Sequence, residues 1–123
     1  MNVNPASISD LHLVGSSVIN AADALGLARD QLAEAIGVSV STVARMKNGS
    51  SPVPEQKPFE MSLLLIRVYR SLFSILGGNS EAMKHWMNTP NQHLGEEVPA
   101  DLIRKADGLT RVLWYLDAMR GRI

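Results

Sequence analysis

Residues 29–49 read R-D-Q-L-A-E-A-I-G-V-S-V-S-T-V-A-R-M-K-N-G, and the spacing within this stretch decides the fold. Counted from Gly37, apolar residues occur five and one positions before the glycine, and one, six and nine positions after it. Glycine is favoured where a chain must leave a helix, because it adopts positive φ without steric cost. Ser39 can then cap a second helix through its hydroxyl. The pattern predicts a helix-turn-helix, with an ordinary helical hairpin as the alternative.

The second helix of such a motif lies in the DNA major groove, so its outward side chains can reach bases and phosphates. Arg45 could bond guanine in bidentate fashion, and Val40 could touch a thymine methyl group. Arg29 and Gln31 begin the preceding helix, where the positive end of the helix dipole favours phosphate. The alternative role for each side chain is a solvated surface position. The predicted DNA-binding residues are Arg29, Gln31, Ser39, Val40, Ser41, Thr42, Arg45 and Lys47.

Composition and charge limit the classes of protein and of partner. The chain has 123 residues, 46% of them hydrophobic, no cysteine and a formal net charge of zero. The lack of cysteine excludes disulfides and thiolate zinc sites and suits a reducing cytoplasm. No apolar run reaches the roughly 18 residues of a membrane span, so we expect a cytoplasmic protein without a membrane partner. Neither half is basic, so specific DNA binding would need two copies side by side, which predicts a dimer or larger assembly.

The remaining pattern predicts an all-α fold in two parts joined by a proline-rich stretch. Prolines at positions 52, 54 and 58 cannot occupy a helix interior. We therefore predict a helix-turn-helix domain over residues 1–50, an extended linker over 51–58 and a small helical domain over 59–123. In the second domain we expect helices over 58–76, 81–87, 100–106 and 109–119, with Asp107-Gly108 breaking the chain between the last two.

The sequence carries no arrangement that would predict an enzyme. The three histidines, His12, His85 and His93, fit no metal-binding spacing. Neither a phosphate-binding G-x-x-x-x-G-K-[ST] loop nor a G-x-S-x-G elbow is present. No set of nucleophile, base and orienting residue can be assembled. We expect no catalysis, no cofactor, no metal and no small-molecule substrate.

Two parts of the chain resemble known domains. Residues 29–49, including Asn48-Gly49 at their end, look like the Xre/Cro/λ-repressor class of DNA-binding domains. The C-terminal part resembles the toxin-binding domain of the MbcA/ParS/Xre antitoxin family. The matching positions are Trp86, Pro90, Asn91, Leu94, Gly95, Pro99, Gly108 and Gly121. Glu96-Glu97 departs from the expected shorter or less acidic link and puts only the detail of that loop in doubt.

This resemblance implies a type II antitoxin that binds and neutralises a RES-domain toxin, an enzyme that depletes NAD, by blocking its active site. It also implies repression of the chain's own operon through operator DNA. Tyr, Trp, Met and Arg are enriched in interfaces, so we expect such residues near the chain end to contact the toxin. The predicted toxin-binding residues are Asn91, Trp114, Tyr115, Met119, Arg120 and Arg122.

Two points stay open at this stage. Asn91 and the other motif residues could instead serve folding, through turns and core packing. The terminal R-G-R-I could be a frayed tail, or Arg120 or Arg122 could enter the phosphate site of the toxin. The alternative function is a stand-alone helix-turn-helix transcription regulator whose C-terminal domain only dimerises.

Overall fold

A computed structural model describes residues 7–121, and within them the chain is almost entirely helical. The helices are α1 (Ile8–Ala24), α2 (Arg29–Ile36), α3 (Val40–Lys47), α4 (Lys57–Ile75), α5 (Ser80–Met87), α6 (Pro99–Leu102) and α7 (Ala106–Gly121), with a 3-10 turn over Gln92–Leu94. The extended pairing described in this range is a single bridge between Asn91 and Glu97. The all-α prediction is confirmed.

Local capping explains why the first three helices begin and end where they do. The Ser7 hydroxyl accepts a hydrogen bond from the Asp10 amide, and the Asp10 carboxylate accepts one from the Ser7 amide. This reciprocal pair satisfies two N–H groups that have no partner within the helix. Gly37 ends α2 at φ 79°, and the Ser39 hydroxyl caps α3. The predicted helix-turn-helix is therefore confirmed.

Helix α4 is the central element, because it packs against α1, α2 and α7. Its buried face carries Leu65, Val68 and Leu72, each at most 1% exposed. Fully burying such a side chain stabilises a fold by about 1.5–3 kcal/mol. These residues belong to one contiguous core that joins the helix-turn-helix to the C-terminal helices.

The proline-rich stretch before α4 is docked against α1. Val53 is fully buried, and its amide donates to the Leu11 carbonyl at 3.3 Å. The approach is close at Gly15, where an added Cβ would lie 3.1 Å from the Val53 nitrogen. Pro58 lies in the first turn of α4, where the N–H that proline lacks would have no partner within the helix. The stretch is non-helical, as the prolines required, and Val53 contributes to the core.

The boundaries near the C-terminus differ from those predicted. Helix α6 ends at Leu102, and Asp107 and Gly108 lie inside α7, so the predicted helix over 100–106 and the break at Asp107-Gly108 are wrong. An added Cβ at Gly108 would lie 1.9 Å from the Leu102 carbonyl oxygen. Glycine is present because the backbone of α6 crosses α7 at this position.

Candidate nucleic-acid and protein interfaces

The outward face of α3 is held by a short chain of hydrogen bonds. The Ser39 hydroxyl accepts from the Thr42 amide at 3.1 Å, and the two hydroxyls lie 2.9 Å apart. Arg45 donates from Nη2 to the Thr42 hydroxyl at 3.1 Å. Val43 and Met46, on the opposite face, are buried in the core. The guanidinium of Arg45 is therefore held along the exposed side of a helix whose other face is packed in the core.

Five of the predicted DNA-binding residues share this helix, and a sixth caps it. Val40 is 45% exposed although it is apolar, and Ser41, Arg45 and Lys47 are also exposed. Arg29, at the start of α2, lines a shallow groove of about 230 Å³ together with Lys47 and Asp23. The carboxylate of Asp23 therefore offsets part of the positive charge that the two cations bring to this groove.

Gln31, predicted to contact phosphate, is held by two side-chain hydrogen bonds. Its Oε1 accepts from the Ala28 amide at 2.8 Å, which caps α2. Its Nε2 donates to the Asp101 carboxylate on α6 at 3.3 Å. Gln31 therefore links the helix-turn-helix to the C-terminal helices.

Arg104, which follows α6, also links the C-terminal helices to the helix-turn-helix, through more bonds than Gln31 makes. Its guanidinium bonds Asp30 and Glu34 of α2 at 3.2 Å each and Asp101 at 3.3 Å. The hydrogen bond to Glu34 is the largest of the effects that raise the pKa of Arg104 above its ordinary value. Sequence reasoning missed Arg104 because its partners on α2 are 70 or more residues away in the chain.

Aromatic rings form a stack against α7. The ring of Tyr115 stacks with those of Trp86 and His93, with centroid distances of 6.3 and 5.8 Å and interplanar angles of 13° and 22°. Tyr115 and Trp86 are both half-buried. Stacked aromatic pairs contribute about 0.5–1.5 kcal/mol beyond their area burial. Tyr115, predicted to bind a toxin, therefore also has a packing role.

Trp114 points to solvent and is 70% exposed. Its indole lines an open groove of about 500 Å³ with Ala106, Thr110 and Arg111. A second groove of similar size, lined by Lys105, Gly108 and Arg111 among others, adjoins it along α6 and α7. These two grooves, which share Asp107 and Arg111, form one continuous surface that we call the α7 surface.

Two other predicted toxin-binding residues bond within the chain. Arg120 donates to the Ser71 hydroxyl of α4 at 3.1 Å, and Ser71 donates to Asp117 at 3.2 Å. The Asn91 carboxamide accepts from the His93 amide at 2.9 Å, which starts the 3-10 turn. Asn91 therefore has the folding role that the sequence left open.

The last two predicted toxin-binding residues are Met119 and Arg122. Met119 is half-buried near the end of α7. Arg122 lies outside the described residues.

Within residues 7–121, no three acidic or histidine side chains converge so that they could hold a metal ion. No helix in this range combines the length and the apolar character that a membrane crossing requires.

Two family models match the chain. Residues 12–67 match the antitoxin Xre-like helix-turn-helix domain, and residues 71–122 match the antitoxin Xre/MbcA/ParS C-terminal toxin-binding domain. The first match ends at residue 67 and the second begins at residue 71, both inside α4. The division predicted at residues 51–58 stays a prediction.

Curated relatives and a solved structure agree with both models. The chain is 30% identical over 109 residues to the mycobacterial cidal antitoxin MbcA of Mycobacterium tuberculosis and of Mycobacterium bovis, covering 89% of this chain and 93% of each relative. It also matches a chain in the crystal structure of the M. tuberculosis MbcT-MbcA toxin-antitoxin complex. That match has a TM-score of 0.67 and 30% identity and covers 90% of this chain and 96% of the other.

Proposed function

The chain belongs to the Xre/MbcA/ParS family of antitoxins, and from this membership we propose that it binds and neutralises a RES-domain toxin, an enzyme that depletes NAD. Neutralisation occurs because the C-terminal helices cover the active site of the toxin. The same chain binds operator DNA through its helix-turn-helix and represses its own operon. It acts as a homodimer or as a larger complex with toxin, in the cytoplasm where operator and NAD are both found.

The observation that carries toxin binding is the exposure of Trp114 on the α7 surface, where it lines one of the two grooves. A solvent-exposed indole beside an arginine has the composition of an interface centre, where Trp and Arg contribute most of the binding energy. The surface lies inside the segment that matches the toxin-binding family model. The relative MbcA is solved in complex with its toxin MbcT, which supports an interface between proteins.

Blocking of the toxin is assigned to the end of α7 and the residues after it. NAD carries a diphosphate, so a toxin that consumes it must hold anionic oxygens. Arginine recognises such groups through several parallel hydrogen bonds. We assign Arg120 or Arg122 to the site that would hold the diphosphate, with Trp114 and Met119 anchoring α7 beside it.

Operator binding rests on α3, whose outward residues are exposed while its inner face is buried. Two copies related by a two-fold axis would place two such helices about 34–36 Å apart, one turn of DNA. One copy with zero net charge should attract DNA phosphates only weakly, and a dimer binds more tightly because each copy adds its own phosphate contacts.

The test is to co-express the chain with the product of the neighbouring open reading frame and to follow NAD. We expect a stable complex, loss of NAD when the neighbour is expressed alone, and preserved NAD when both are present. A neighbour that does not bind, or that leaves NAD unchanged by itself, would contradict the antitoxin role toward this toxin class. Repression of the operon without any toxin partner would instead indicate a stand-alone regulator.

A further inference from the structure

Arg104 belongs to the C-terminal part of the chain, yet two of its three ion-pair partners lie on the first helix of the helix-turn-helix. It bonds Asp30 and Glu34 of α2 at 3.2 Å each. Asp101 orients the guanidinium from α6 through a third bond of 3.3 Å and also accepts from Gln31. The side chain of Arg104 is only 28% exposed, because these partners surround it.

These carboxylates lie where a helix-turn-helix approaches the DNA backbone. The first helix of the motif crosses the backbone, and its N-terminal N–H groups favour phosphate. Asp30 is the second residue of α2, beside Arg29, and Glu34 follows one turn later. Arg29 is the only cation on α2, so this helix by itself carries one excess negative charge toward the phosphates.

We propose that Arg104 is a positioning residue for operator binding, which neutralises the α2 carboxylates so that the start of α2 can approach the DNA backbone. The inference rests on the operator binding proposed above. With Arg104 present, the cluster of Arg29, Asp30, Glu34, Asp101 and Arg104 carries one excess negative charge, and without Arg104 it carries two. The C-terminal part of the chain thereby supplies one component of the DNA interface.

The expected loss of operator affinity without Arg104 follows from the Coulomb energy between a charge and a phosphate across solvent. One unscreened charge within a Debye length of a phosphate changes the binding energy by a fraction of a kcal/mol to about 1 kcal/mol. We therefore expect about a threefold loss of operator affinity for each half-site and about a tenfold loss for two copies. The loss should shrink as salt rises, because the interaction crosses solvent.

The experiment measures binding of the full chain to a DNA fragment from its own promoter, at low and at physiological salt. Arg104→Gln should bind about tenfold more weakly, whereas Arg104→Lys, which keeps the charge but loses the planar fork, should bind nearly as the parent does. The triple variant Asp30→Asn, Glu34→Gln, Arg104→Gln leaves the cluster with no excess charge and should bind at least as tightly as the parent. The control is Arg67→Gln, which breaks another 3.2 Å Arg–Asp pair, between α4 and α7, and should leave operator binding unchanged.

Each outcome separates electrostatics from a purely structural role. Equal affinity of Arg104→Gln and the parent would overturn the inference. So would loss of affinity in Arg104→Lys, or failure of the triple variant to recover, because both would indicate that only the tie between helices matters. If Arg104→Gln does not fold, Asp30→Asn with Glu34→Gln on the parent must raise affinity, and unchanged affinity would overturn the inference. A parent chain that binds no operator overturns the proposed DNA function itself.

Discussion

The carbonyl oxygen of Leu102 occupies the space beside Gly108, so that a Cβ added there would lie 1.9 Å from it. The two residues bring the backbones of α6 and α7 into direct contact, which fixes the groove along them. The α7 surface therefore depends on a glycine inside a helix, where glycine ordinarily costs about 1 kcal/mol in helix propensity.

Gly108→Ala should destabilise the chain in spite of the better helix propensity of alanine. The methyl group meets backbone, which cannot move aside as a flexible side chain would, so we expect a loss of about 1–3 kcal/mol or more. Gly121→Ala is the control, since nothing lies within 4 Å of its added Cβ. Chemical denaturation of both variants measures the difference, and equal stabilities would show that α6 and α7 do not cross as described.

Val53→Ala tests whether the stretch before α4 is docked. Val53 is fully buried against α1, so its truncation should lower the free energy of unfolding by about 2 kcal/mol. Val40→Ala, at a 45% exposed position on α3, should change stability by less than about 0.5 kcal/mol. A Val53 variant as stable as the Val40 variant would indicate a flexible linker.

The sequence predicted the features that depend on neighbouring residues, but not the packing of Gly108 and Val53. Gly37 and Ser39 were predicted correctly because a helix end and a cap depend on residues within a few positions. The glycine at position 108 was misread as a helix break because its reason, contact with Leu102, comes from packing. The prolines around Val53 correctly excluded helix but carried no signal for burial.

The hydrogen bonds and ion pairs between the two parts of the chain could not be predicted from neighbouring residues in the sequence. Arg104 and Asp101 have partners on α2 that are 70 or more residues away, and Arg120 bonds Ser71 of α4 from the other end of the chain. Without coordinates, such residues have the pattern of ordinary solvated charges. Trp114 was predicted for the interface from residue type and position, and its exposure agrees with that role.

Arg45→Ala should weaken binding to the specific operator by about 1–3 kcal/mol and relax discrimination at one base pair. Arg45→Lys should lose nearly as much, since lysine cannot form the bidentate bond to guanine. Gel shifts on operator and on scrambled DNA of equal length distinguish base readout from phosphate contact. Equal losses on both DNAs would remove Arg45 from base recognition.

The end of the chain should matter for inhibition. Deleting residues 120–123 removes the arginines assigned to the diphosphate site, and the inhibition constant should rise roughly tenfold or more, as expected for lost charge-assisted bonds. Arg120→Gln keeps the chain length and tests Arg120 separately from Arg122. If the shortened chain inhibits the toxin as well as the parent, the active site is blocked by another segment.

The central claim is that the α7 surface binds a toxin, and the inhibition of NAD consumption by Trp114→Ala tests it most directly. The control is Leu63→Ala on α4, which removes a 41% exposed apolar side chain outside the segment that matches the toxin-binding family model. We predict that Trp114→Ala inhibits about 30-fold more weakly, a loss of about 2 kcal/mol at an interface centre, whereas Leu63→Ala inhibits as the parent does. Equal inhibition by both folded variants would contradict the assignment of the toxin interface to this surface.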